Sequence, residues 1–175
     1  MDARTRAARI KLIAFDIDGV MTDGGLHYTD DGRELKTFNV QDGFGLKLLQ
    51  RAGLELAIVT GRTSGVVAAR AADLGIEHVF QGVVDKHAVV ASLLEKLGLH
   101  WSECAFMGDD LIDLRVMASC GLALAPANAR QVVRERAHAV TDGAGGHGAV
   151  REAVEFILEA QGRLENLFAA YLDAQ

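Results

Sequence analysis

Asp16 and Asp18 stand two positions apart where the apolar run "IKLIAFD" (10–16) ends, and Asp109, Asp110 and Asp113 follow the run "CAFMG" (104–108). Thr60 closes a third apolar run, "LELAIVT" (54–60), and Lys86 comes shortly after a fourth, "HVFQG" (78–82). Carboxylates gathered this way cannot all ionise cheaply: two unit charges ~4 Å apart repel by about 4 kcal/mol at an effective dielectric of 20. A cation among them removes that cost. Hard oxygen donors favour Mg²⁺, an ion that shares its shell with waters and phosphate oxygens. A hydroxyl and an ammonium on the same rim suit a transferring phosphoryl group, which needs hydrogen bonds and positive charge where its own charge builds up. The residue types therefore point to metal-assisted phosphoryl transfer.

For these pieces of chain to meet, the elements between them must return each one to the same place. Segments 10–16, 54–60, 78–82, 104–108, 121–125 and 138–141 read as buried strands, and 42–52, 63–74, 86–97, 110–118 and 128–136 carry apolar residues at helical spacing. The alternation predicts an α/β fold, a doubly wound parallel sheet with right-handed crossovers, whose ligands bind at the carboxyl ends of the strands. Segment 19–41 breaks the rhythm: "GLHYT" and "RELKTF" flank Asp30-Asp31-Gly32, which predicts a β-hairpin insertion. Val150, Val154, Ile157, Leu164, Phe168 and Tyr171 predict a C-terminal helix over about 149–173, roughly 37 Å long, lying across the sheet or against another subunit. With no linker and no repeat, residues 1–175 are expected to form a single domain.

In order, spacing and strand context, "FDIDGVMTDG", "VTGR", Lys86 and "GDDLID" resemble the four motifs of the haloacid dehalogenase superfamily of phosphohydrolases. The resemblance implies that Asp16 is a nucleophile forming an aspartyl-phosphate. Asp18 would protonate the leaving alkoxide and then deprotonate the hydrolytic water, while Thr60 and Lys86 hold the phosphoryl group. It also implies Mg²⁺ held by the Asp16 carboxylate, the Asp18 carbonyl and Asp109, with Asp110 and Asp113 in support. Alternate side chains of an extended segment share a side, so a D-x-D turn can serve one phosphate with both carboxylates.

No insertion is long enough for a cap domain, so the chain resembles the capless branch: a Rossmann-like core with a hairpin. "FNVQDGFG", "TGR" and "GGHGAVRE" narrow the resemblance to the phosphatases of 3-deoxy-D-manno-octulosonate 8-phosphate, which serve lipopolysaccharide biosynthesis. That family implies a homotetramer in which hairpins and neighbours close the sites. It implies substrate contacts from Asn39, Val40, Gln41, Asp42, Gly43, Lys47, Arg62 and Arg70 beside Asp18 and Lys86, with Arg70 reaching across a subunit boundary. Gln41 and His147 depart from the family, which commonly has a basic residue at the first position and often arginine at the second. An arginine suits a sugar-acid carboxylate. Relatives acting on nine-carbon sugar acids tend to carry Glu at the position of Arg62, so Arg62 favours the eight-carbon substrate.

Two other readings compete. One is a phosphatase of a nine-carbon ulosonate 9-phosphate; the other, from a different class, is a phospho-accepting receiver-like domain. A receiver keeps its phosphoacceptor on the third strand, and 78–82 contains no aspartate. A dinucleotide site is also excluded. Gly143, Gly145 and Gly148 in "TDGAGGHGAV" (141–150) spell G-x-G-x-x-G, but after the last strand, whereas that fingerprint opens the first βαβ unit. The family resemblance instead implies that the loop turns the chain from the rim into the last helix, near the active site.

A net charge of −6 argues against nucleic acid as a partner. Cys104 and Cys120, the only cysteines, sit in apolar runs and read as buried free thiols of a reducing compartment. The first apolar run is too short for a leader core, and no stretch reaches the ~18 apolar residues of a membrane span. A cytoplasmic protein with no membrane partner is expected.

Overall fold

Leu12–Phe15 presents four buried apolar residues in succession, a pattern that suits the centre of a parallel sheet covered on both faces. In the computed structural model, which describes residues 1–172, a short helix α1 (Ala3–Ala7) precedes this strand, β1. The hairpin β2 (His27–Tyr28) and β3 (Glu34–Leu35) leads to α2 (Val40–Arg51), β4 (Glu55–Val59), α3 (Gly65–Leu74), β5 (His78–Phe80) and α4 (Lys86–Leu97). Then come β6 (Cys104–Met107), α5 (Leu114–Ser119), β7 (Leu122–Ala125), α6 (Gln131–Arg134), β8 (Ala139–Val140), α7 (Ala149–Ala160) and α8 (Leu164–Leu172). The main sheet runs β5-β4-β1-β6-β7-β8, every pair parallel, with Ala14 level with Ala57 on one side and Phe106 on the other. This is the doubly wound α/β sheet of the sequence reading, with the hairpin as a separate two-stranded piece.

Successive strand residues point to opposite faces. Ile13 and Phe15 join Leu46 and Leu49 of α2 and Val150 and Val154 of α7, while Leu12 and Ala14 join Val90 and Leu93 of α4 and Val116 and Met117 of α5. Each fully buried Leu or Phe contributes about 1.5–3 kcal/mol by leaving water, so the two layers hold β1 rigidly between them. Cys104 and Cys120 are buried and unpaired, and burial pushes the Cys120 thiol up to about 12. Among the described residues, no helix is long and apolar enough to cross a membrane.

The C-terminal segment corrects the expectation of one helix over 149–173. Helix α7 ends at Ala160, Gly162 adopts φ +66°, and α8 starts afresh at Leu164; residue 173 lies outside the described residues. Gln161, the polar interruption of the apolar stripe, pins the corner by donating to the carbonyls of Ile10 (2.8 Å) and Ala7 (3.2 Å). Helix α8 folds back so that Leu164, Leu167 and Phe168 pack on the core, and Tyr171 tilts against Phe44 with ring centroids 5.3 Å apart. Two other expected helices start late. A 3₁₀ turn (Leu111–Asp113) precedes α5, because the Asp110 and Asp113 side chains take backbone N–H groups there; α6 covers only Gln131–Arg134 of 128–136.

Candidate active site

The winding reverses between β1 and β6, so a crevice opens at the carboxyl ends of those two strands, where open α/β sheets bind ligands. Asp16 follows β1 directly, and its amide donates to the Met107 carbonyl of β6 (3.0 Å). One carboxylate oxygen of this buried residue accepts the Ile17 N–H (2.7 Å), and the other faces Lys86 Nζ (2.9 Å). Lys86 opens α4, which Asp85 caps by accepting the Ala88 N–H (3.1 Å). Its ammonium also meets Asp113 Oδ1 (2.7 Å). Burial works against that charge, but Asp16 and Asp113 outweigh it, and Lys86 titrates above the ordinary lysine value.

Asp113 is fully buried, and its Oδ2 accepts the amides of Asp109 (3.0 Å) and Asp110 (3.3 Å). Gly108 makes this possible, since a Cβ there would fall 2.5 Å from the Asp113 side chain. With both oxygens committed, Asp113 braces the loop, while Asp16 and Asp109 keep lone pairs free. Oxygens of Asp16, Asp109 and Asp113 lie within 4.8 Å of one another, against the single ammonium of Lys86. Burial pushes Asp16 up to about 6; Lys86 opposes that push and Asp113 adds to it. Burial likewise raises Asp109 to about 7, with Asp113, Asp16 and Asp110 adding repulsion. Hard oxygens carrying surplus negative charge form a donor set that fits Mg²⁺.

Asp16 and Asp109 line a pocket of about 190 Å³ together with Asp18, Thr60, Gly61, Arg62, Asp110 and Ile112. Thr60 is buried, and its backbone bonds to Phe80 and Val83 at the end of β4. The hairpin supplies residues that the sequence reading missed. Lys36 Nζ bonds to Asp18 Oδ1 and lies 3.4 Å from Glu34 Oε1. Glu34 also accepts from Arg62 (2.7 Å), Arg62 donates to the Tyr28 hydroxyl (3.0 Å), and Arg62 Nε lies 3.6 Å from Asp18 Oδ2. Two acids and two bases thus form a neutral ring, of which Asp18 and Arg62 line the pocket. The signal lay in "ELK": residues two apart in an extended segment share a side, so Glu34 and Lys36 face together.

Segment 39–43, Lys47 and Arg70 do not line this pocket on their own chain. Asn39 caps α2 by accepting the amides of Gln41 (2.7 Å) and Asp42 (3.3 Å), and Val40 and Gln41 are exposed. Buried Asp42 ties α2 to α7 by accepting the amides of Arg151 (2.8 Å) and Gly148 (3.2 Å). Gly43 leaves room for Arg70, whose guanidinium lies 5.8 Å above the Phe38 ring and 3.5 Å from the Asn39 carbonyl. Lys47, expected at the substrate, instead donates to the Leu74 carbonyl (2.5 Å) at the end of α3, beside a depression of about 380 Å³ at the amino ends of β4 and β5. A second depression, of about 700 Å³, lies near His100 and Arg163 and also contains none of the candidate residues.

The glycine loop is a buttress. A Cβ on Gly145 would fall 1.9 Å from the Gly19 carbonyl oxygen, and one on Gly146 (φ +72°) 2.6 Å from the Asp23 amide. Gly19 (φ +89°) in turn faces Asp109, its own Cβ position only 2.2 Å from Asp109 Oδ2. Backbone of 145–146 therefore rests on the loop that follows Asp18, and that loop rests on the Asp109 carboxylate. Glu152 holds the buttress by accepting the amides of Asp142 and Gly143 (2.9 Å each), and Asn128 accepts that of Gly145 (2.9 Å).

The sequence profile of the haloacid dehalogenase-like hydrolases matches residues 45–121. The chain is 45% identical over 161 residues to the 3-deoxy-D-manno-octulosonate 8-phosphate phosphatase KdsC of Salmonella typhi, covering 92% of this chain and 86% of that protein. The phosphatase of the same name from Moraxella catarrhalis, solved in complex with a magnesium ion, a phosphate ion and KDO, superimposes with a TM-score of 0.95 at 42% identity over 97% of each chain. A probable YrbI family phosphatase from Pseudomonas syringae gives 0.97 at 49% identity over 99% of each chain. A likeness of this extent leaves no large part of the chain for another fold or a cap, and the chain belongs to the KdsC family of haloacid dehalogenase-like hydrolases.

Proposed function

We propose that this chain is a Mg²⁺-dependent phosphomonoesterase that converts 3-deoxy-D-manno-octulosonate 8-phosphate to the free sugar acid and phosphate, a step of lipopolysaccharide biosynthesis. The observation that carries the chemistry is Asp16, a buried carboxylate fixed from two sides by Lys86 and the Ile17 amide in the Asp18–Thr60–Asp109 pocket. The substrate named for relatives 45% identical supports the specificity.

In this mechanism an Asp16 oxygen bonds to phosphorus while the ester P–O bond breaks, and Asp18 gives its proton to the departing alkoxide. Water then attacks the aspartyl-phosphate, Asp18 takes the water's proton, and the P–O bond to Asp16 breaks, restoring the carboxylate. Lys86 keeps Asp16 oriented, and the Thr60 hydroxyl donates to a phosphoryl oxygen. Mg²⁺, held by Asp16, Asp109 and the Asp18 carbonyl, would supply the positive charge that lets an anionic phosphate approach an anionic nucleophile. Asp110 and Asp113 support the ligand loop. Arg62 would grip the sugar-acid carboxylate.

A pocket of about 190 Å³ is smaller than the roughly 300–1,000 Å³ of sites that enclose whole small molecules, so one chain encloses the phosphoryl end alone. Exposed Tyr28 and Leu35 on the hairpin and Leu111 and Ile112 beside the pocket suit contact with neighbouring copies. On the family resemblance, we assign a homotetramer in which Arg70 reaches a neighbour's site, working in the cytoplasm. Assay of the purified protein against phosphorylated sugars and sugar acids tests the substrate: preference for a nine-carbon 9-phosphate would replace the eight-carbon assignment, and no hydrolysis of any member would end it. Light scattering tests the assembly, and a monomer with full activity at nanomolar concentration would remove the neighbours' role.

A further inference from the structure

We infer that Lys36, on the hairpin, is the positioning residue that aims the Asp18 carboxylate at the leaving group, with Glu34 anchoring Lys36 from behind. The inference rests on the reading of Asp18 as the proton donor. Its basis is the contrast between the two cations of the charge ring. The Arg62 side chain is 44% exposed and open to an incoming ligand, whereas that of Lys36 is 1% exposed and ends on Asp18 and Glu34. An ammonium so deeply buried keeps its partners, because leaving it unpaired carries a large desolvation cost. Lys36 therefore cannot serve substrate from solvent; what it can do is fix one Asp18 oxygen.

That oxygen needs fixing. The terminal torsion of an aspartate is broad and two-fold, so covalent geometry alone does not settle where Oδ1 and Oδ2 lie. With Oδ1 tied to Lys36, Oδ2 is the oxygen on the Arg62 side. Misplacing a reacting group by about 1 Å can cost on the order of 100-fold in rate. Through Lys36 the hairpin thus acts on the reaction by way of Asp18.

The test is the dependence of kcat/KM on leaving-group acidity across aryl and alkyl phosphates, because kcat/KM reports only steps through departure of the alcohol. Asp18→Asn serves as the reference and should steepen the dependence. Lys36→Met should steepen it in the same sense, losing about 10- to 100-fold on alkyl phosphates and only a few-fold on p-nitrophenyl phosphate, whose leaving group needs no proton. Lys36→Arg should restore most of the loss. Glu34→Gln, which keeps a hydrogen bond to Lys36, should show a weaker version and covers the case in which Lys36→Met does not fold, as judged by melting and light scattering. A steep Asp18→Asn series with a uniform or absent effect in the Lys36 and Glu34 variants would overturn the role of Lys36 alone. An unchanged dependence in Asp18→Asn would overturn the proton-donor reading and this inference with it.

Discussion

Asp16→Asn should make the metal-free protein more stable at pH 8 while abolishing turnover. Asp16 titrates near 6 in the folded chain against a usual 3.8, because burial disfavours its charge. A raised pKa contributes stability that is fully present below about pH 3.8 and is lost as pH rises through about 6. The shift corresponds to about 3 kcal/mol at full ionisation, which bounds the gain from above. Asparagine stays neutral throughout and leaves Lys86 paired with Asp113. For a chain of this size the gain is up to roughly 12 °C in melting temperature. Melting curves in EDTA should therefore coincide near pH 4 and separate between pH 4 and 7, with the variant higher. Saturating Mg²⁺ should close the gap by raising the wild type, since at 100 times Kd a ligand of the native state adds about 2.7 kcal/mol. A variant that melts at or below the wild type at pH 8 in EDTA, or a gap independent of pH, would refute the argument that surplus charge is stored at this site.

Arg62→Met should weaken hydrolysis of the sugar-acid phosphate by about 10-fold or more in kcat/KM while sparing p-nitrophenyl phosphate, because the proposed guanidinium–carboxylate contact is absent from the aryl ester. Equal losses on both would place Arg62 in the phosphate chemistry. Gly145→Ala puts a Cβ 1.9 Å from the Gly19 carbonyl oxygen, against backbone that cannot step aside. It should lower both melting temperature, by about 1–3 kcal/mol of stability, and Mg²⁺ affinity measured by calorimetry. Unchanged metal binding in a folded Gly145→Ala protein would show that the buttress does not reach Asp109.

The rim was legible because strand ends are legible. Asp16, Thr60 and Asp109 each terminate an apolar run, and a parallel sheet brings such ends to one side whatever the loop details. Lys47 shows what periodicity leaves open. Helical spacing gives the face of α2 on which it sits, but seven residues beyond Val40 are roughly 10 Å along the axis, away from the rim. The ring of Asp18, Lys36, Glu34 and Arg62 escaped notice because the hairpin ladder is only two residues long on each side, too short for alternation to declare which face meets the core. The corner at Gln161 and Gly162 was written in the sequence as a polar residue followed by glycine inside an apolar stripe. Read as an interruption, it concealed a turn that the Gln161 amide makes by reaching back to α1.

The contact between Gly145 and Gly19 also sets an order of events during synthesis. β1 and Asp16 are among the first residues made, yet the strands that flank β1 come later in the chain, and the backbone that steadies the loop after Asp18 comes later still. A nascent chain that has exposed Asp16, Asp18 and Asp109 but not residues 143–152 carries its carboxylates without the strut that aligns them. Folding around this strand is correspondingly non-local. The loop after Asp18 is therefore supported from behind only once residues 145–146 are in place.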